Sequence, residues 1–100
     1  MDAITLEQGL EKRASHIFRK IEGHFSKDTP ANRKILIDTA LNADNYLGND
    51  KWGNNWYAKT QADGTQIWVQ VRNGEIINGG CNNIPRIWNS VTGFSRPSPL

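Results

Sequence analysis

A chain of 100 residues with 37% apolar content and a formal net charge of +2 describes one small globular domain, residues 1–100, with a modest core. The single cysteine, Cys81, excludes an intramolecular disulfide framework and a thiolate zinc site, while four tryptophans argue against disorder. No run of about 18 apolar residues suits a membrane span, and the first twenty residues are too charged for a signal peptide.

From Thr5 to about Glu22 the apolar residues Leu6, Leu10, Ala14, Ile17, Phe18 and Ile21 follow helical spacing, with Thr5 and Gln8 in the form of a capping box and Gly23 placed as the C-terminal cap. A second helix opens with Thr29 as N-cap and Pro30 in the first turn, and it ends near Asn42. Residues 42–55 are dense in Asn, Asp and Gly and read as an irregular loop. The period then changes from 3.6 to 2: residues 56–60, 65–72 and 75–79 alternate as strands, separated by turns at 62–64 and at Asn73-Gly74. Residues 82–100 contain three prolines and no clear period, and they are expected to be extended and to add an edge strand. The fold class expected is α+β, two N-terminal helices packed on a small twisted antiparallel sheet of three to four strands, with residues 1–4 and 96–100 flexible.

A two-residue turn at Asn73-Gly74 pairs Arg72 with Glu75, Val71 with Ile76 and Val69 with Asn78, and pairing Thr60 with Thr65 sets Ala58 opposite Ile67 and Tyr57 opposite Trp68. One sheet face then collects Trp56, Ala58, Ile67, Val69, Val71 and Ile76 for the helices. The other collects Tyr57, Lys59, Trp68, Gln70 and Arg72, an aromatic and basic surface suited to stacking bases and neutralising phosphates. Structural readings stand beside this one: Tyr57 and Trp68 covering an edge, and Arg72 in a cross-strand ion pair with Glu75.

Charge is unevenly distributed, since residues 12–34 hold seven Lys or Arg against Glu22 and Asp28. Both histidines of the chain, His16 and His24, lie in this basic stretch. His16 falls off the apolar stripe beside Lys12, Arg13, Arg19 and Lys20, and neighbouring cations favour its neutral, basic form. His24, following the expected helix end, is placed for protonation by the helix dipole. Two histidines of opposite bias suit acid and base partners in cleavage of RNA by its own 2′-hydroxyl. A solvated basic face is the plainer reading of the same residues. A metal site lacks ligands in any known spacing, and no Gly-x-Ser-x-Gly elbow is present. Cys81 reads as a small packed hydrophobe, and Asp28-Thr29-Pro30 as a helix start.

The segments His16-Ile17-Phe18-Arg19, Gly23-His24-Phe25, Asp28-Thr29-Pro30-Ala31-Asn32-Arg33, Trp56-Tyr57-Ala58, Trp68-Val69-Gln70-Val71-Arg72-Asn73-Gly74 and Asn82-x-x-Pro85-Arg86 together resemble C-terminal domains of bacterial polymorphic toxins, of the contact-dependent growth inhibition and Rhs type. The resemblance covers about residues 14–97, leaves residues 1–13 outside, and meets Cys81 where an aliphatic residue is expected. The order of helices and then antiparallel sheet is similar to the superfamily that unites barnase, EndoU, colicin tRNases and RelE. What this implies is a metal-independent ribonuclease, acting on tRNA or another structured RNA, with no cofactor. It implies His16 and His24 as acid and base, Arg19 on the phosphate, and a hydroxyl from Thr92 or Ser95. RNA contact is then expected from Lys20, Arg33, Tyr57, Lys59, Trp68, Arg72 and Arg86. The partners implied are RNA and an acidic immunity protein, with no membrane and no metal. Delivery as the C-terminal part of a larger effector into a target-cell cytoplasm follows from the same resemblance. A non-catalytic RNA- or protein-binding module with the same basic surface is the alternative.

Overall fold

The computed structural model describes residues 1–94. Three helices, α1 (Ala3–Lys12), α2 (Ala14–Ile17) and α3 (Pro30–Leu41), precede a four-stranded antiparallel sheet. Its strands β1 (Tyr46–Asn49), β2 (Asn55–Thr60), β3 (Gln66–Arg72) and β4 (Glu75–Asn82) lie in chain order, so the α+β class read from the sequence is the class of the fold. No helix among the described residues is long and apolar enough to cross a membrane.

Helix α3 starts as its sequence dictates, with Thr29 Oγ1 accepting the Asn32 N–H at 3.1 Å and Pro30 in the first turn. The first helix differs from expectation at both ends. Asp2, not Thr5, caps α1, because its carboxylate accepts the Thr5 N–H at 2.8 Å and thereby makes Thr5 a donor. Beyond Arg13 the chain makes only the single turn α2 and leaves helical geometry at Phe18. Residues 19–25 close instead as turns, with Arg19 N–H donating to Phe25 O at 3.0 Å and His24 N–H to Ile21 O at 3.2 Å. Ile21, whose spacing extended the helical pattern, is half exposed. Gly23 does take a positive φ, +88°, but in this turn and not at a helix end.

The segment read as an irregular loop contains a 3-10 turn over Ala43–Asn45 and then strand β1. This edge strand has no apolar alternation to betray it: it is four residues long, mostly exposed, and bulged at Leu47, and it exists because β2 offers it partners.

Asn73 and Gly74 both have positive φ, 53° and 76°, the type I′ geometry that the pair favours. Arg72–Glu75 and Val71–Ile76 pair as expected, but a bulge at Ile77 shifts the remainder, setting Gln70 opposite Asn78 and Val69 opposite Gly79. Between β2 and β3 the register slips by one residue from expectation. Thr60 faces Gln66, Ala58 faces Trp68 and Tyr57 faces Val69. The reason lies in the turn, where Asp63 Oδ1 accepts both the N–H and the hydroxyl of Thr65, at 2.9 and 2.6 Å, and Gln61 N–H donates to Thr65 O at 2.7 Å. Thr65 thus closes the loop and leaves the strand. A slip of one inverts every side chain of β2.

Consequently Tyr57 packs against the helix-side core of Leu6, Leu10, Ile17, Phe18, Leu36, Ile67, Val69, Val71 and Ile76, while Trp56 crosses to the opposite face. There Trp56 stacks on Trp68, centroids 5.8 Å apart, and takes Phe94 edge-on at 5.5 Å. This second core is closed by the C-terminal segment, which lies across the sheet face and adds no edge strand within the described residues. Gly93, φ +66°, rests on the Trp56 ring so closely that a Cβ would stand 2.1 Å from it. Asp50, buried beside them, accepts from Trp56 Nε1 at 2.8 Å, Asn54 Nδ2 at 3.0 Å, Trp52 N–H at 2.9 Å and Asn54 N–H at 3.0 Å. Burial alone would raise its pKa, but these four donors outweigh it and hold the carboxyl below the ordinary range.

Candidate nucleic-acid interface and active site

On the face of the second core the sheet carries a cleft of about 200 Å³, lined by Arg19, Glu22, Gly23, His24, Trp56, Trp68, Gln70, Asn78, Asn82, Arg86 and Phe94. Its wall is the turn over residues 19–25, fastened to the sheet through one carbonyl. Gly23 O accepts the Trp68 indole N–H at 2.8 Å and the Cys81 N–H at 3.0 Å. The strand opposite must be bare for this approach, since a Cβ on Gly80 would stand 2.0 Å from Gly23 O and 2.8 Å from His24 Cα. Arg86 is held from the other side. The buried Gln66 accepts the Arg86 N–H and the Asn82 Nδ2–H through Oε1, each at 2.9 Å, and donates Nε2–H to Arg86 O at 3.3 Å.

His24 Nδ1 lies 2.8 Å from Ile17 O. A carbonyl only accepts, so Nδ1 carries the proton of the neutral ring and Nε2 is left with a free lone pair. Burial lowers the pKa of the ring, the bond to Ile17 O opposes this, and the charges of Arg19 and His16 lower it further. The neutral, basic form therefore prevails near neutrality, which reverses the expected protonated role: the helix ends at Ile17, not at Gly23, and desolvation dominates. The ring stands edge-on to Trp68, centroids 5.5 Å apart at 85°.

The remaining expected site residues divide. Arg19 and Arg86 line the cleft with His24, and Trp68 forms its floor, 7% exposed and with its N–H spent on Gly23. His16 and Lys20 are exposed and do not line it, although His16 is near enough for its charge to bear on His24. Tyr57 and Lys59 belong to the helix face through the register slip; burial raises the Tyr57 pKa, and Lys59 lines a separate hollow with Asp38 and Asn42. Arg33 is spent structurally, its guanidinium bonded to both Asp28 oxygens at 2.6 and 2.7 Å and to Glu11. These two carboxylates raise its pKa, and Asp28 is held low in return. Arg72 makes no pair with Glu75, which is taken by Lys12 at 2.6 Å and Arg13 at 3.2 Å. Thr92 lies in the Asn89–Gly93 turn, its N–H on Asn89 Oδ1 at 3.1 Å, and does not line the cleft. Ser95 lies outside the described residues. Cys81 packs against the helix-side core, in keeping with the packing role read from the sequence.

The basic stretch is thus two populations. Lys12, Arg13, Arg33 and Lys34 are held in ion pairs, whereas among the described residues Arg19, Lys20 and Lys27, and outside the stretch Arg86, have no carboxylate partner. Sequence reasoning did not pick out Glu22, Asn78 or Asn82 as site residues. A signal existed in Asn78, a polar position following Ile76 and Ile77 in a strand, but the bulge that sets it opposite Gln70 has none. Among the described residues no group of three His, Cys, Asp or Glu is placed to hold a metal ion.

No family model matches the chain, and no curated protein and no solved structure shows significant similarity to it. The family resemblance rests on the sequence motifs alone.

Two expected results follow from the way the cleft is built. Gly80→Ala should cost about 1–3 kcal/mol, the usual range for overpacking, and should detach the His24 turn, since the intruding methyl meets backbone; urea unfolding measures the loss. The pH dependence has a definite sign. The ring is harder to protonate folded than unfolded, so its contribution to stability is complete above its ordinary value of 6.5 and is lost as pH falls through the lowered folded value. Denaturation midpoints between pH 8 and 5 should therefore decline less steeply in His24→Asn than in the native chain.

Proposed function

We propose that this chain is an RNA-cleaving toxin domain that uses the 2′-hydroxyl of its substrate as nucleophile and needs no metal. The observation that carries the reading is one cleft that joins the free Nε2 of a neutral His24 to Arg19 and Arg86, two cations without carboxylate partners among the described residues. His24 takes the proton of the 2′-hydroxyl, whose oxygen attacks the adjacent phosphorus. The bond from phosphorus to the 5′-oxygen breaks, and that oxygen takes up a proton from solvent water, since His16, the expected partner of His24, stands outside the cleft. Arg19 and Arg86 balance the charge that grows on the phosphoryl oxygens. The products are a 2′,3′-cyclic phosphate and a 5′-hydroxyl.

The sequence motifs add delivery as the end of a larger bacterial effector, action in a target-cell cytoplasm on tRNA or another structured RNA, and neutralisation by an acidic immunity protein over His16, Arg19 and Lys20. Purified protein incubated with total RNA in EDTA tests the proposal. Discrete fragments ending in cyclic phosphate support it; intact RNA, or equal cleavage by His24→Asn, overturns it. The second reading, an RNA-binding module that does not cut, is favoured by the three amides of Gln70, Asn78 and Asn82 around the cleft, which suit recognition more than acid–base chemistry. Binding without fragments would establish it.

A further inference from the structure

Trp52 is the most exposed of the four tryptophans, at 51%, while Trp56 and Trp68 are buried and Trp88 is partly covered. Nothing in its own packing accounts for so large an apolar ring in water, yet its backbone is held firmly. Its N–H donates to the buried Asp50, Gly53 N–H donates to Asp50 O at 3.1 Å, and the preceding Lys51 N–H donates to Val91 O at 2.8 Å. Two cations flank the ring. Lys51 Nζ stands 4.6 Å from its centroid, and Arg72 Nη2 donates to Trp52 O at 3.0 Å, the one hydrogen bond of its guanidinium among the described residues. Neither cation is in an ion pair among the described residues.

Position gives the patch its meaning. Trp68, Gln70 and Arg72 alternate along one face of β3, and the first two line the cleft, so Arg72 stands two residues, about 7 Å, beyond its edge. We propose that Trp52, with Lys51 and Arg72, is a subsite for an unpaired nucleotide flanking the one held in the cleft, the base stacking on the indole and its phosphate meeting the two cations; this rests on the RNA reading above. Only an unpaired base presents its face to such a ring, so the subsite selects single-stranded segments.

The full chain is titrated with a single-stranded oligodeoxythymidylate, which lacks the 2′-hydroxyl and is not cut, while tryptophan fluorescence and its salt dependence are followed. Binding quenches the emission, and the quench is reduced in Trp52→Phe to the part that belongs to Trp56 and Trp68 in the cleft. Trp52→Ala weakens affinity by about 5- to 150-fold, the usual effect of removing a stacked ring. Arg72→Gln lowers the slope of log K against log salt by about one phosphate contact. Trp52 belongs to neither core among the described residues, so the Trp52→Ala melting curve stays near that of the native chain. No binding, unchanged affinity in Trp52→Ala, or a quench undiminished in Trp52→Phe overturns the subsite. The two readings fail separately: Trp52-dependent binding by a chain that cuts no RNA removes the nuclease and keeps the subsite, whereas cleavage with Trp52-independent binding does the reverse.

Discussion

His24→Asn should lower the rate of RNA cleavage by about 10²- to 10⁴-fold, the range in which a positioned general base usually contributes. Asparagine is the informative substitution, because its Nδ2–H can still donate toward Ile17 O, the bond that orients the native ring, while it offers no basic nitrogen to the substrate. Structure and chemistry are thereby separated. Single-turnover cleavage measured against pH adds a second readout: the limb belonging to the base should lie below the ordinary histidine value, since burial, Arg19 and His16 all disfavour the charged ring. A variant that is folded by circular dichroism and cuts at the native rate would take His24 out of the chemistry.

Trp56→Ala should be the most destabilising of the substitutions proposed. The side chain is 2% exposed and makes the centre of the second core, with Trp68 stacked on it, Phe94 edge-on and Gly93 lying across its ring. Truncating a buried tryptophan costs about 3–5 kcal/mol, and small domains hold only about 5–15. Its indole also supplies one of the four donors that keep Asp50 ionised in a buried place. Trp56→Phe retains most of the ring and removes that donor, so its cost should fall near 1–3 kcal/mol, the penalty for weakening a buried charged hydrogen bond. Urea midpoints at unchanged slope measure both. A loss under about 1 kcal/mol in Trp56→Ala would mean that the C-terminal segment closes the sheet without this anchor.

Much of the fold was legible because its signals are local. Thr29-Pro30 states the start of α3 through a hydroxyl three residues from the N–H it caps, and Asn73-Gly74 states the last hairpin through two residues that tolerate positive φ. Arg19, His24 and Arg86 were legible as candidates by residue type and motif, and the cleft unites them. Other features depended on partners distant in sequence. Whether residues 19–25 continue a helix was decided by Gly23 O finding Trp68 and Cys81 across a glycine strand, a gain that no spacing of apolar residues records. The face of β2 turned on whether Thr65 belongs to a strand or to a turn, one residue with two acceptable roles, and that choice moved Tyr57 and Lys59 away from the site and Trp56 into it. Likewise the basic stretch reads as one surface, although half of it is neutralised by Glu11, Asp28, Asp38 and Glu75. By itself the sequence determined the start of α3, the β3–β4 turn and which residue types carry chemistry, since capping, turn propensity and side-chain character act within a few residues. Only the tertiary structure decided which of those residues share a face, because register and burial are set by contacts between segments far apart in the chain.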